Sequence, residues 1–159
     1  MTKVVLIGSP NVGKSVIFNY LTKQYVTVAN YPGTTVEIAR GYSKINGKRY
    51  EVVDTPGIYS LLPITEEEKV TRQLLCIEKA DIIIHVIDGK NIQRMLNMTL
   101  QLLGAGFPVI LNINLMDEAT KQGVHINLVK LAEKLNIPVI GTAATKKIGL
   151  GNLKQAIVQ

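Results

Sequence analysis

The sequence predicts an α/β domain with a doubly wound, mostly parallel six-stranded sheet that contains one antiparallel strand. Two observations predict this fold class. Short apolar runs, typical of strands buried on both faces, alternate along the chain with segments of helical period. Asn46-Gly47, a preferred pair for a tight hairpin turn, separates two of the strands and accounts for the antiparallel one. All 159 residues are expected to form this single domain.

The elements follow from these patterns in chain order. The predicted strands span residues 3–8, 36–45, 49–53, 80–86, 109–113 and 137–141. The predicted helices span residues 14–22, 66–78, 92–103 and 149–158, and a further one begins after Asn127, whose side chain is expected to cap it. Residues 23–36 show no clear period, and a connection of this length is usually functional or mobile.

Composition indicates an ordinary folded domain. Hydrophobic residues make up 47% of the chain and charged residues 19%. The longest apolar stretches, residues 82–87 and 109–116, are too short or too interrupted to cross a bilayer, and no signal peptide is recognised. The one cysteine, Cys76, excludes an internal disulfide, and we expect it to be buried in a helix. We therefore expect a soluble, cytosolic domain.

The chain is basic, with a net charge of +6 and a pI near 9.4. Such a charge is compatible with nucleic acid or an anionic membrane surface as a partner. However, the Lys and Arg residues are scattered, and the longest run is Lys146-Lys147. This distribution favours a dispersed, solubilising surface. The two histidines, His85 and His125, lie too far apart for a metal-ligand spacing.

The segment from Gly8 to Ser15, GSPNVGKS, matches the pattern G-x-x-x-x-G-K-S/T. Its glycines let backbone N–H groups and the start of the next helix converge on phosphate oxygens. Lys14 would reach the β- and γ-phosphates, and the Ser15 hydroxyl would hold Mg²⁺. A glycine-containing turn without chemical role is the alternative. The strand before the segment and the helix after it favour a nucleotide-binding loop.

Two further motifs follow predicted strands. Asp54, at the end of the hairpin, is placed to hold Mg²⁺ through its water shell, and Gly57 can bring its N–H against the γ-phosphate. Asn114 is expected to brace a loop, while the carboxylate of Asp117 can accept two N–H groups from a guanine edge. Each motif alone is also compatible with an ordinary polar turn. Their positions at the carboxyl ends of strands favour a ligand site.

Together these residues resemble a translation-factor-type small GTPase domain and, more closely, the N-terminal G domain of the ferrous iron transport protein B (FeoB) family. Three segments carry the resemblance: GSPNVGKS, NYPGTTVE at residues 30–37, and DTPGIYSLLPITEEEKV at residues 54–70. The resemblance implies a P-loop small-GTPase fold. It also implies binding of GTP or GDP with Mg²⁺, and slow hydrolysis of GTP to GDP and phosphate that K⁺ stimulates.

The resemblance assigns roles to particular residues. Thr35 matches the switch threonine that reaches Mg²⁺ when GTP is bound. Asn11 matches the asparagine that holds K⁺ beside the phosphates, in the place of an arginine finger. The backbone of Ala143 and Ala144 matches the loop that approaches the guanine.

Two departures from the common GTPase pattern qualify the resemblance. Leu115 replaces the Lys of N-K-x-D, which implies weaker nucleotide affinity and quick exchange. Ile58 replaces a water-orienting Gln, so we expect slow hydrolysis. We hypothesise that main-chain groups near Gly33 and Thr34 hold the attacking water instead.

These inferences define the expected site. The residues expected to take part in hydrolysis are Lys14, Asn11, Thr35, Gly33, Thr34 and Gly57. The residues expected to bind the nucleotide are Gly8, Pro10, Asn11, Val12, Gly13, Lys14, Ser15, Val16, Asp54, Gly57, Asn114, Leu115, Asp117, Ala143 and Ala144. Mg²⁺ is expected at Ser15, Thr35 and Asp54, and K⁺ at Asn11.

Members of the family continue into a helical regulatory domain and a membrane region that moves Fe²⁺. The resemblance therefore implies these regions as partners, a place at the cytoplasmic face of the cell membrane, and no nucleic-acid partner, and it allows a homo-oligomer. Two alternatives stay open. An RNA-docking, ribosome-assembly GTPase domain shares PNVGKS and DTPG, and a nucleotide sensor would hydrolyse GTP only incidentally.

Overall fold

The structure is a computed structural model that describes the backbone of residues 1–159 and every side chain except those of residues 24 and 25. Its strands are β1 (Thr2–Ile7), β2 (Gln24–Asn30), β3 (Glu37–Ile45), β4 (Lys48–Asp54), β5 (Ile82–Asp88), β6 (Val109–Asn114) and β7 (Val139–Gly141). Its α-helices are α1 (Lys14–Thr22), α2 (Glu66–Cys76), α3 (Ile92–Gly104), α4 (Met116–Lys121), α5 (Leu128–Leu135) and α6 (Leu150–Val158). Short 3₁₀ helices span Gly89–Asn91 and Ala144–Lys146.

The sheet has the order β2-β3-β4-β1-β5-β6-β7. Neighbours from β4 through β7 pair in parallel, whereas β3 runs antiparallel to both β2 and β4. The predicted fold class is therefore confirmed, including the antiparallel strand from the Asn-Gly hairpin.

The sheet has seven strands across the described residues, one more than the six that were predicted. The additional strand is β2, which lies in the segment where a patternless connection was expected. Residues 26–30 are all exposed, so this edge strand has no alternation of buried and exposed side chains. It is defined by backbone pairing with β3, from Gln24 opposite Tyr42 to Asn30 opposite Glu37. Periodicity cannot reveal such a strand.

The core lies on both faces of the sheet. On β1, Val4 and Leu6 pack on one side with α1 and α6, while Val5 and Ile7 pack on the other with α2 and α3. All four of these side chains are completely buried. This two-sided burial explains the continuous apolar run that predicted a parallel strand. It also fixes the end of β1, from which the glycine-containing loop leaves.

The helices largely follow the sequence pattern. Helix α1 has the predicted bounds, and the Asn127 side chain caps α5 by accepting from the Lys130 N–H. Helix α4, which directly follows Leu115, is too short to show a period and was not predicted. Within the residues that the structure describes, no helix is long and apolar enough to span a membrane.

The prediction that Cys76 is buried was wrong. The cysteine is exposed at the last residue of α2. The residues of α2 that face the core are Val70, Thr71, Leu74 and Leu75. Since each residue turns the helix by about 100°, the position after Leu75 leaves this buried face.

Candidate functional site

The loop between β1 and α1 forms one wall of a cleft of about 310 Å³. Gly13 adopts a φ of 88°, and a Cβ atom at this position would collide with the side-chain amide of Asn114. Glycine is therefore required here for conformation and for space. Asn11 also has a positive φ, of 67°. The cleft is lined by Ser9, Pro10, Asn11, Gly13, Lys14, Ser15, Val16 and Gly57.

Lys14 and Asp54 meet beside this cleft. The Lys14 ammonium donates to the Asp54 carboxylate and to the main-chain carbonyl of Thr55. Both side chains are largely buried, with 9% and 14% exposed. Thr55 is itself anchored, because its hydroxyl donates to the Leu6 carbonyl at 2.7 Å. The end of β4 thus brings a carboxylate and a cation together at the phosphate loop.

The segment after Asp54 packs closely on the same loop. A Cβ atom on Gly57 would lie 2.8 Å from Cγ of Pro10, so a larger residue does not fit without movement. The Ile58 N–H donates to the Gly8 carbonyl at 3.1 Å. The Ile58 side chain is only 2% exposed and packs in the core with Val5 and Val70. Its position in the core agrees with the expectation that it does not orient water.

The structure does not bring residues 33–35 into the cleft. The Thr35 N–H and hydroxyl donate to the two carboxylate oxygens of Glu66, at 3.0 and 3.1 Å. Thr34 and Gly33 form a turn, in which the Thr34 hydroxyl donates to the Tyr31 carbonyl at 2.8 Å. Among the described residues that line the cleft, none belongs to this segment. Thr35 instead connects this segment to Glu66, the first residue of α2.

Asn114 connects the phosphate loop to the opposite side of the site. This residue is 1% exposed, and its amide N–H donates to the Val12 carbonyl at 2.9 Å. Its carbonyl oxygen accepts from the Ala144 N–H at 3.0 Å and from the Thr142 hydroxyl at 2.9 Å. The side chain therefore braces the loop, as the sequence predicted, and also holds residues 142–144.

Asp117 lies in the first turn of α4, directly after this junction. Leu115 makes the turn into the helix in the left-handed region, with a φ of 60°. Lys146 approaches Asp117 from the far loop, with Nζ at 2.9 Å from the carboxylate. The hydrogen bond from Lys146 lowers the pKa of Asp117, and the same contact raises the pKa of Lys146. Asp117 is therefore an ionised acceptor at the rim of the site.

The donor set fits a magnesium ion in part. The Asp54 carboxylate and the exposed Ser15 hydroxyl at the start of α1 are oxygen ligands of the kind that Mg²⁺ prefers. Thr35, the third predicted ligand, is held by Glu66 instead. Over the described part of the chain, no group of three or more His, Cys, Asp or Glu residues is placed to hold a metal ion. The predicted Mg²⁺ ligands are two hydroxyl groups and one carboxylate, so they would not form a group of this kind.

Three residues near the site were not singled out from the sequence: Glu66, Asn112 and Thr142. Glu66 was interpreted only as an acidic residue at a helix start. Asn112 could have been recognised from the sequence, because it is a polar residue in the otherwise apolar first part of the strand VILNIN. Its amide donates to the Thr142 hydroxyl at 2.9 Å, beneath Asn114.

Comparison with known proteins covers nearly the whole chain. The Fe(2+) transporter FeoB of Escherichia coli K12 is 39% identical over 156 residues, which is 96% of this chain but 20% of the relative. The chain thus spans about a fifth of that relative's length.

Solved structures agree with this similarity. An S. thermophilus NFeoB mutant bound to GDP superposes with a TM-score of 0.91 and 41% identity, over 98% of this chain and 61% of that one. The cytosolic domain of T. maritima FeoB in its GMPPNP form gives a TM-score of 0.92 and 39% identity, over 99% and 63%. The family model described as Ferrous iron transport protein B matches residues 2–157. The chain therefore belongs to the ferrous iron transport protein B family.

Proposed function

We propose that this chain is a GTP-binding and slowly GTP-hydrolysing switch domain that regulates membrane transport of ferrous iron. The observation that carries the proposal is the link through Asn114 between a phosphate loop and a segment suited to a guanine base. The structures of relatives with GDP and with GMPPNP support it. Residues 1–159 act as one G domain, and their partners are the helical and membrane regions of the transporter at the cytoplasmic face.

In this proposal, the nucleotide lies across the carboxyl ends of the strands. The phosphates occupy the cleft of about 310 Å³, where loop N–H groups and the start of α1 face them. Lys14 exchanges the Asp54 carboxylate for phosphate oxygens. Asp117 exchanges Lys146 for the two N–H groups of the guanine edge. Lys14 and Asp117 therefore each keep a group of complementary polarity, Asp54 faces the Mg²⁺ through water, and Lys146, whose side chain is 52% exposed, is released to solvent.

Magnesium would supply charge neutralisation on the phosphates. Ser15 would hold the ion directly, and Asp54 would do so through water. Thr35 completes the set only after it leaves Glu66, a movement that makes residues 33–35 the first switch. The state of this segment then reports whether a γ-phosphate is present.

Hydrolysis joins a water oxygen to the γ-phosphorus and breaks the bond to the β–γ bridging oxygen, and the proton of the water passes to the released phosphate. Since the Ile58 side chain is in the core, it cannot orient that water. In our proposal, main-chain groups near Gly33 and Thr34 hold the water once the switch has moved. Asn11 would hold K⁺, whose positive charge would stabilise the negative charge that develops on the phosphates.

The test compares GTP hydrolysis in KCl and in NaCl at equal ionic strength. We expect faster hydrolysis in KCl for the natural sequence and no difference for Asn11→Ala, while both bind GDP. Asn19→Ala, an exposed asparagine on α1, is the matched control and should keep the K⁺ effect. Equal rates in both salts would remove the role of Asn11. Failure of the natural sequence to bind GDP would contradict the whole proposal.

The RNA-docking alternative is not favoured by the family match. It makes a distinct prediction, namely RNA retention on a filter that weakens steeply with salt, because phosphate contacts release counterions. We expect no such retention at physiological salt.

A further inference from the structure

We propose that Asn112 is a positioning residue for guanine-nucleotide binding, acting through the Thr142 hydroxyl on Asn114. Asn112 lies in the middle of β6, two residues before Asn114, and it is completely buried. The inference rests on the proposed function, because it concerns how tightly the same site holds its nucleotide.

The direction of each hydrogen bond is fixed by two backbone groups. The Ala144 N–H can only donate and the Val12 carbonyl can only accept, so the orientation of the Asn114 amide is determined. Its oxygen then requires the Thr142 hydroxyl, 2.9 Å away, to donate its single proton. That hydroxyl has no proton left for Asn112.

Asn112 must therefore donate through its amide N–H to the Thr142 oxygen, at 2.9 Å. The result is a directed series in which Asn112 donates to Thr142 and Thr142 donates to Asn114. Successive hydrogen bonds of this kind polarise and strengthen one another. The far end of the series holds the phosphate loop through Val12 and the predicted base-facing loop through Ala144.

The hydrogen-bond series from Asn112 to Asn114 lowers the stability of the fold at one buried atom. The Asn112 carbonyl oxygen has no hydrogen-bond partner among the described residues. A buried polar atom without a partner destabilises the fold. The neighbours Leu111 and Ile113 are completely buried apolar residues, so an apolar side chain would suit this strand better. Stability alone does not account for Asn112, whereas alignment of Asn114 does.

The backbone at Thr142 is held independently of these side chains. Its N–H donates to the Ile113 carbonyl at 2.8 Å, and its carbonyl accepts from the Met116 N–H at 3.1 Å. Removing the side-chain series should therefore leave the fold in place. The effect should appear in the alignment of Asn114 and the adjacent loop, and hence in the rate of nucleotide release.

The experiment separates alignment from stability with the double variant Asn112→Leu/Thr142→Val. Replacing both partners with apolar groups of similar shape removes the unpaired oxygen and leaves no new polar group on either residue. We expect a melting temperature equal to or above that of the natural sequence. We also expect the fluorescent analogue mant-GDP to dissociate about fivefold faster, the size typical of one lost net hydrogen bond. Thr142→Ser, which keeps the hydroxyl, should retain slow release.

The matched control is His85→Leu/Thr99→Val, which removes another buried polar pair with a 2.8 Å contact, between β5 and α3. We expect this variant to release mant-GDP at the natural rate. An unchanged release rate in the Asn112→Leu/Thr142→Val variant overturns the inference, and so does an equal acceleration in the control. If the double variant does not fold, Asn112→Leu alone is judged by the same criteria. Failure of the natural sequence to bind mant-GDP refutes the proposed function itself.

Discussion

Replacing Glu78 with Gln tests how ion pairs hold two strands of the sheet to the segment that follows α2. The two Glu78 carboxylate oxygens accept from the two terminal nitrogens of Arg40, both at 2.9 Å, and one also accepts from Lys3 at 2.9 Å. Arg40 lies on β3 and Lys3 on β1. These bonds, chiefly those from Arg40, lower the pKa of Glu78 from an ordinary value of 4.5 to about 2.

The sign of the pH effect follows from this lowered pKa. Because the folded protein binds the Glu78 proton more weakly than the unfolded chain does, the stabilisation is fully present above pH 4.5 and is lost as the pH falls towards 2. The complete shift corresponds to about 3 kcal/mol. Since 21% of the side chain is exposed, solvent screens the pairs, and we expect about 2 kcal/mol of unfolding free energy.

The assay is urea unfolding of the natural sequence and of Glu78→Gln between pH 7 and pH 2. The difference between their unfolding free energies should be about 2 kcal/mol at pH 7 and should approach zero near pH 2. His85, whose pKa burial lowers to about 4, affects both proteins equally and cancels in the difference. Glu133→Gln, at an exposed residue without an ion pair among the described residues, is the control. A difference that does not change with pH would refute the reasoning.

Three further predictions concern the site. Asp54→Ala should lower the unfolding free energy of nucleotide-stripped protein by about 3 kcal/mol, because it leaves Lys14 buried and unpaired. Saturating GDP should reduce this loss, and equal losses in urea unfolding with and without GDP would contradict the exchange of partners. Gly13→Ala should weaken GDP binding more than tenfold in calorimetry, because the added methyl group would collide with the side-chain amide of Asn114. Unchanged affinity would count against that geometry. Lys146→Ala should raise the pKa of Asp117, measured by carbon-13 NMR titration, whereas an unmoved titration would exclude their pairing.

The sequence predicted the parts of the molecule in which local pattern and tertiary burial agree. The strand β1 is buried on both faces, so its apolar run identified it, and the phosphate loop had to follow its end. Asp54 and Asn114 were placed correctly near this loop because parallel strands end at one edge of the sheet. Motif spacing together with strand order was sufficient for these positions.

Other features depend on contacts between distant segments. The bond between Thr35 and Glu66 joins residues 31 positions apart, and neither residue is unusual in its own segment. The series through Asn112 depends on Thr142, which lies 30 positions later. A polar residue in a buried strand marks such a contact but does not identify its partner. The strand β2 has no side-chain pattern at all, because its described side chains are exposed.

The two halves of the site differ in how firmly they are held, and this difference suits a switch. Asn114 is fixed by three hydrogen bonds in a buried environment, where a polar atom left without any partner carries a full desolvation penalty. Thr35 is held by two exposed bonds to Glu66, which solvent weakens to about 1 kcal/mol or less each. If Thr35 is the switch residue of the proposed function, a γ-phosphate with Mg²⁺ has to favour its released position by only about 2 kcal/mol to move it, and the hydrogen bonds of Asn114 need not change. Under the proposed function, Asn114 therefore stays in place while Thr35 changes partner.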